Sequence, residues 1–260
     1  MNPKKRLFFL VLARDENHVN TKIRELDDLG IPYKIVCGKQ FNHPNVVYRN
    51  PKGKYDAINF GFSLIPEYVD TVIMNDVDTI IHNLHIALNY LKDEKVALIF
   101  GTEMVKEGPQ NLWHKILNPI RRIIPVAASG ELMLVRRDVL EMILPIEPCK
   151  AEDTYILFKV LKYGFKTVFC EDCYAETKRT KTAEKEELYK RKTVTGIYQA
   201  LTYAQPPHLI RLFYVFLPIL SPLLLVFGKK GYFWMRGILL GLKDFLHGDR
   251  TGVWRTDYMQ

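Results

Sequence analysis

Cysteine is scarce: the 260-residue chain holds four, Cys37, Cys149, Cys170 and Cys173. That is too few for a disulfide scaffold in a chain this long, so a packed core and a reducing, cytosolic compartment are expected. Cys170-Glu171-Asp172-Cys173 has the spacing of half a zinc site. The other two cysteines stand singly in apolar or proline-flanked contexts, however, and buried thiols explain the pair better. Internal repeats and low-complexity tracts are absent. Lys4-Lys5-Arg6 before an apolar run resembles the start of a signal peptide, yet the run is short, no small-x-small site follows, and Arg14-Asp15-Glu16 ends it abruptly. A buried first strand is expected there instead. Acidic residues are the minority charge, 29 against 37 basic ones, for a net charge of +8. The excess suggests an anionic partner, whether nucleic acid, an acidic lipid surface or a phosphorylated substrate. With 48% apolar and 25% charged residues the chain is globular rather than disordered.

What is present is a rhythm of strands and helices. Residues 7–13 form a continuous apolar run, as expected of a strand covered on both faces. Residues 21–29 place Ile23, Leu26 and Leu29 at helical spacing before Gly30, a stop signal. Strands are expected at 33–37 and 46–48, a helix at 55–65, a strand at 71–75, a helix at 83–91 and a strand at 96–100. Further on come a strand at 132–135, a helix from Asp138, a break at Pro145 and Pro148, a helix at 154–163 and a strand at 166–169. A densely charged helix is expected at 178–192. Strands and helices alternating in this way predict a doubly wound, mostly parallel α/β sheet.

Such sheets bind ligands beyond the carboxyl ends of their strands. Arg14-Asp15-Glu16 and Asp76-Val77-Asp78 both fall on that edge. In extended chain, side chains at i and i+2 share a face, so Asp76 and Asp78 are expected to point the same way. Two carboxylates so placed are costly to hold dry and unpaired, and Mg²⁺ or Mn²⁺ resolves the repulsion while bridging to phosphates. The plain alternative is a solvated acidic turn. Glu152-Asp153 opens a helix, where carboxylates usually serve as caps.

Residues 111–126 mix Trp113, Ile116, Leu117, Ile120 and Ile123 with Lys115, Arg121 and Arg122, either an ordinary amphipathic helix or a basic lid against a lipid surface. From Pro206 the composition shifts. Residues 209–227 are apolar with one charge, long enough to span a bilayer, but Pro218 and Pro222 break a straight helix and both flanks are basic. Residues 232–246 read as amphipathic. The chain thus divides into a catalytic part, 1–205, and a membrane-associated part, 206–260. The second part is expected to enter one leaflet and return, or to lie along it.

Five segments in order resemble the inverting family 2 glycosyltransferases, which include dolichyl-phosphate mannose synthases and cellulose synthases. They are the first strand ending in ARDEN, GKYDAINFG from Gly53, VIMNDVDTII from Val72, SGELMLVRRDVL from Ser129, and AEDTYILFKVLKYGFKTVF from Ala151. The resemblance covers residues 7–204, and five motifs in order carry far more weight than any one of them. It implies a GT-A type fold and a nucleotide-diphosphate sugar donor, with UDP or GDP as the nucleotide. It places the nucleotide against Ala13, Arg14, Asp15, Glu16 and Lys54, and the metal (Mn²⁺ or Mg²⁺) with the diphosphate on Asp76 and Asp78. It makes Asp153 the catalytic base, sets Arg191 and Lys192 against the leaving diphosphate, and puts Ser129, Gly130, Glu131 and Glu152 near the acceptor or donor sugar. The acceptor it implies is a lipid phosphate or a lipid-linked or cell-surface glycan at the cytoplasmic face of a membrane, with no nucleic acid partner.

Two departures from the family pattern matter. Cys37-Gly38-Lys39 follows the second strand where members often carry an acidic residue that reads the base, so the nucleotide stays open. Polymer synthases resemble Q-x-x-R-W where this chain has Tyr189-Lys190-Arg191-Lys192-Thr193, and one apolar span is too little to build an extruding channel. Both argue against processive synthesis. The rivals are a haloacid dehalogenase-type phosphohydrolase with Asp76 as nucleophile, since Asp76-Val77-Asp78-Thr79 also fits Asp-x-Asp-x-Thr, and a non-enzymatic basic scaffold at a membrane surface.

Overall fold

In a computed structural model, residues 5–105, 110–177 and 182–252 are described. The described residues form one eight-stranded sheet flanked by helices. Strands β1 (Leu7–Ala13), β2 (Tyr33–Cys37), β3 (Val46–Tyr48), β4 (Thr71–Asp76), β5 (Ile80–His82), β6 (Val96–Val105), β7 (Leu132–Arg136) and β8 (Lys166–Thr177) lie in the order β3-β2-β1-β4-β7-β6-β8-β5. β7 runs antiparallel to both β4 and β6, and β5 runs antiparallel to β8; the other pairings are parallel. All strands but β5 and β7 therefore point the same way, and the sheet is mixed but mostly parallel.

The apolar run of β1 shows why the sheet is covered twice. Phe8, Leu10 and Leu12 enter one core and Phe9, Val11 and Ala13 the other. Helices α1 (Val19–Leu29) and α3 (Leu84–Tyr90) lie on the second core. Helices α2 (Lys54–Phe62), α5 (Arg137–Ile143) and α6 (Glu152–Lys162) lie on the first, with α4 (Gln110–Ile123) and α7 (Ala183–Ala204). Chain order passes from β1 outward through β2 and β3, then returns to the other side of β1 at β4. That reversal makes the β1/β4 edge the place where a ligand fits between diverging loops.

Elements β8 and α7 depart from the sequence expectation. β8 continues to Thr177 through the cysteine pair, with the register to β6 shifting between Gly101 and Thr102. Both cysteines are buried free thiols in this bulged strand, and a Cβ on Gly101 would sit 2.6 Å from the Cys173 carbonyl oxygen. The expected charged helix begins in residues 178–181, which lie outside the described residues, and α7 runs on to Ala204. Gly196 sits inside α7 because the backbone of Lys150 and Ala151 crosses there, 2.6 Å from where its Cβ would be. Lys150 N–H also donates to Gln199 Oε1 (2.9 Å), so α7 fixes the start of α6.

The tail consists of α8 (His208–Leu220), a 3-10 turn (Ser221–Phe227) and α9 (Gly228–Leu246). By length and composition His208–Leu246 is apolar enough to cross a membrane. It does not run straight. α9 folds back along α7, with Gly237 against the Glu187 carbonyl and Lys190, Gly241 against the Arg191 carbonyl, and Trp234 fully buried beside Trp113. Composition changes at Pro206 but packing does not. The outer side of the tail leaves Val215, Ile219, Leu223 and Val226 exposed, and Ile123 at the end of α4 is 82% exposed.

Candidate active site

A cleft of about 1070 Å³ opens at the carboxyl ends of β1 and β4 and extends under α4, α7 and α8. Its floor at the sheet edge is a turn held from below. Lys22 is buried and donates to Asn75 Oδ1 (2.7 Å), Glu25 Oε2 (2.7 Å) and the Thr79 carbonyl (2.5 Å). Thr79 Oγ1 donates to the Asp76 carbonyl (2.9 Å), and Asn75 Nδ2 donates to Thr79 Oγ1 (2.9 Å). Asn75 also donates to the Glu131 carbonyl, tying this turn to the start of β7. The strand ends at Asp76, so strand alternation does not reach Asp78. The turn itself brings both carboxylates to the cleft, Asp78 exposed and Asp76 partly covered.

Lys54, at the first position of α2, donates to Asp76 Oδ2 (2.6 Å) and lies 3.5 Å from Glu152 Oε1. Burial pulls its pKa down, but Asp76, Glu152 and Asp153 outweigh burial and hold the ammonium well above its usual range. Burial pushes Glu152 up to about 7 against the pull of Lys54, and raises Asp153 in the same way. Gly130 packs closely beside Asp153: a Cβ there would meet its carboxylate at 3.2 Å. Ser129 donates to Glu131 Oε2 (2.7 Å). Ala13, Arg14 and Asp15 line the cleft after β1, whereas Glu16 turns to an adjoining pocket and pairs with Lys39 (3.1 Å). The loop after β2 packs so tightly on this segment that a Cβ on Gly38 would fall 2.2 Å from the Arg14 carbonyl oxygen.

The structure thus gathers Ala13, Arg14, Asp15, Lys54, Asp76, Asp78, Gly130, Glu131, Glu152 and Asp153 around one cleft. It does not bring Arg191 and Lys192 there. Arg191 forms a two-pronged pair with Asp244 of α9 (2.5 and 2.7 Å), and the α7 cation that lines the cleft is Lys190, stacked 4.5 Å from the Trp113 ring centroid. One residue on a helix is a turn of about 100°, enough to exchange one wall for another. Sequence reasoning also missed Lys22, Glu103 and His114, and it named Arg121 only as one basic residue of an amphipathic helix or lid. Lys22 stands in line with Val19, Ile23 and Leu26 on the buried face of α1, and a charge in an apolar stripe is the signal that marks it.

The donor set suits a hard divalent cation. Two carboxylates at one strand end leave the remaining positions to ligand oxygens, as Mg²⁺ and Mn²⁺ prefer beside phosphates. Among the described residues no group of three or more His, Cys, Asp or Glu converges on a single point.

Glu152 gives a measurable consequence. Its folded pKa of about 7 lies above the ordinary 4.5, so its protonated form favours the fold; that contribution is full below pH 4.5 and is lost as pH rises through 7. In metal-free protein, Glu152→Gln should remove this loss. The expected gain over the unmodified chain at pH 8 is on the order of 1–3 kcal/mol, shrinking to nothing near pH 4. Thermal melts across that range check it, and a constant difference would refute the assignment.

This is the fold of the GT-A nucleotide-sugar transferases. The chain superposes on the mannosyltransferase of Pyrobaculum calidifontis, solved with GDP-mannose and Mn²⁺, at a TM-score of 0.75 and 14% identity, over 95% of this chain and 89% of that one. Weaker likenesses are to glucosyl-3-phosphoglycerate synthase of M. tuberculosis (TM-score 0.48, 15% identity, 78% and 82% coverage) and S. aureus TarS (0.47, 13%, 95% and 92%). No protein-family model matches the sequence, and neither does any curated protein sequence.

Proposed function

We propose that the protein is a metal-dependent inverting glycosyltransferase of the family 2 type. It moves a sugar from a UDP- or GDP-sugar to a membrane-linked acceptor, without processive elongation. The observation that carries this reading is the cluster of Asp76, Lys54, Glu152 and Asp153 in one cleft at the β1/β4 reversal of a GT-A sheet. Asp76 and Asp78 would hold Mn²⁺ or Mg²⁺, which when bound supplies positive charge against the leaving diphosphate. Lys54 adds a second positive charge at the same end. Asp153, with its pKa raised by burial, is placed to take the proton of an attacking hydroxyl. Asp76 as a phosphohydrolase nucleophile has less support, because Thr79 spends its hydroxyl on the turn and Lys54 already holds the Asp76 carboxylate.

Titration with UDP and GDP, with and without Mn²⁺, tests the reading. Nucleotide diphosphate binding that requires the metal supports it. An acyl-phosphate at Asp76 would favour the hydrolase, and neither result would favour a scaffold.

The exposed apolar side of the tail, flanked by Lys229 and Lys230, supports attachment to the cytoplasmic face of a membrane without crossing it. Because α9 docks on α7, both ends of the tail stay on the catalytic side. Gly231 has no room for a reporter, since its Cβ would lie 1.7 Å from the Leu224 carbonyl oxygen. A cysteine at Lys230 should therefore react with an impermeant maleimide on sealed vesicles carrying the catalytic part outside. Labelling only after the vesicles are opened would mean that the tail crosses.

A further inference from the structure

Cys170 and Cys173 line no part of the cleft, and the transferase reading leaves them unused. Both are free thiols, 2% and 0% exposed. Three positions apart on a regular strand, two side chains point to opposite faces about 10 Å apart. The bulge in β8 brings these two together. β6 pairs Gly101 with Cys170 and the next residue, Thr102, with Tyr174, so Glu171, Asp172 and Cys173 loop out of the ladder. The loop carries Cys173 back over Gly101, the residue opposite Cys170, where the Cys173 carbonyl leaves no room for a Cβ. Both side chains enter the core on the α1/α3 side of the sheet and hydrogen-bond to each other. Burial raises the thiols of Cys37 and Cys149, as an apolar setting should. Cys170 goes the other way: the hydrogen bond from Cys173 draws it down to about 7 and pushes Cys173 up.

The bulge is open to solvent on one side and tied to the cleft's roof on the other. β5 covers β8 at Tyr174, Ala175 and Glu176, and Asp172 in the loop before them is exposed. Glu171 accepts from Asn118 Nδ2 (3.4 Å) and pairs with Arg122, while Asn118 also donates to Thr102 Oγ1 (3.1 Å) across the register shift. Both α4 anchors therefore sit on the looped-out residues or beside them. We propose that Cys170 and Cys173 are a redox modification site: a hydroperoxide closes them into a disulfide, and closing the bulge loosens α4 over the cleft. The Cys170 thiolate attacks the outer peroxide oxygen, the O–O bond breaks, and the other oxygen leaves as an alcohol or water once protonated. The resulting sulfenic acid loses its hydroxyl to attack by the Cys173 sulfur, whose proton departs with it as water. Two thiols lose two electrons, the peroxide gains them, and a dithiol reverses the step by exchange. Closure draws the sulfurs to a bond of about 2 Å, so Glu171 between them must shift. The proposal does not depend on the transferase reading.

Treating the folded full chain with hydrogen peroxide, then mapping its peptides by mass spectrometry, tests the site. The peptide carrying both cysteines should lose two hydrogens and regain them with dithiothreitol, while Cys37 and Cys149 stay reduced. Oxidation of the pair only in urea, or straight to sulfinic acid, would make these inert core thiols and overturn the proposal. In Cys173→Ser, dimedone should trap a sulfenic acid on Cys170; in Cys170→Ser, trapping on Cys173 should be at least about tenfold slower. Equal trapping would overturn Cys170 as the attacking thiol. If the serine variants do not fold, brief oxidation of the unmodified protein with dimedone present decides, and an adduct on Cys173 instead of Cys170 counts against it. Amide hydrogen exchange in α4 should speed at least about tenfold in the disulfide form and return with dithiothreitol. A disulfide that forms and leaves α4 exchange unchanged would overturn the link to the cleft's roof.

Discussion

Asp76→Asn is expected to abolish metal-dependent nucleotide binding and transfer while the protein stays folded. The carboxylate sits at the end of β4, on a turn that Lys22, Asn75 and Thr79 hold without using its side-chain oxygens. Replacing it by a neutral isostere therefore spares the turn. It also releases Lys54, which keeps Glu152 at 3.5 Å and has 36% of its side chain open to water, so no stranded charge results. What is lost is one of two protein ligands for the proposed cation. With so few, the metal's hold should fall by at least about 100-fold, and transfer with it. Asp78→Asn removes the other and should act in the same direction. Calorimetry of UDP and GDP with Mn²⁺ gives the answer directly. If both variants bind as the unmodified protein does, the cation does not sit on these carboxylates.

Asp153→Asn should leave donor binding intact and cost roughly two or more orders of magnitude in the rate of transfer to a hydroxyl. The proton of an alcohol must be taken up as the new bond forms, and Asp153 is a carboxylate whose pKa burial raises, next to Gly130. A phosphate oxygen is already ionised and needs no such help, so the same variant should lose little with an acceptor that attacks through phosphate. The pair of rates therefore reports the nature of the attacking oxygen. Near-normal turnover with a hydroxyl acceptor would assign proton removal to another group, such as Glu152, raised to about 7 in the same cluster.

Much of the architecture is written locally. The apolar runs of β1, β2 and β3 end where the structure ends them, because their limits coincide with the first charged or turn residues; β1 and β2 are buried on both faces, whereas the edge strand β3 is only partly covered. The sequence does not set the edge strand β5 apart: Ile80–His82 follows the acidic turn directly, with no turn residue of its own to separate it. The pairing of Ile81 with Ala175 of β8 makes it a strand. β8 was read as ending at Phe169 because the bulge around Cys170–Cys173 interrupts its alternation.

The carboxylates of the site were legible for a simple reason: Asp76, Asp78 and Asp153 follow apolar strands or open a helix, positions that chain order alone puts at the sheet's ligand edge. The cations were not. Whether Lys190 or Arg191 faces the cleft depends on how α7 is rotated, and that is set by α9, which takes Arg191 for Asp244 and packs its glycines against the neighbouring turn. Arg121 reads in sequence as one of several basic residues on an amphipathic helix. It becomes a buried charge only because β8 brings Phe169 under it and α8 closes the cleft above. The spacing of residues along the chain determines which face of an element is apolar and where its loops emerge; which charges lose their water is decided by the element that covers them, and that partner is chosen only when the whole chain packs.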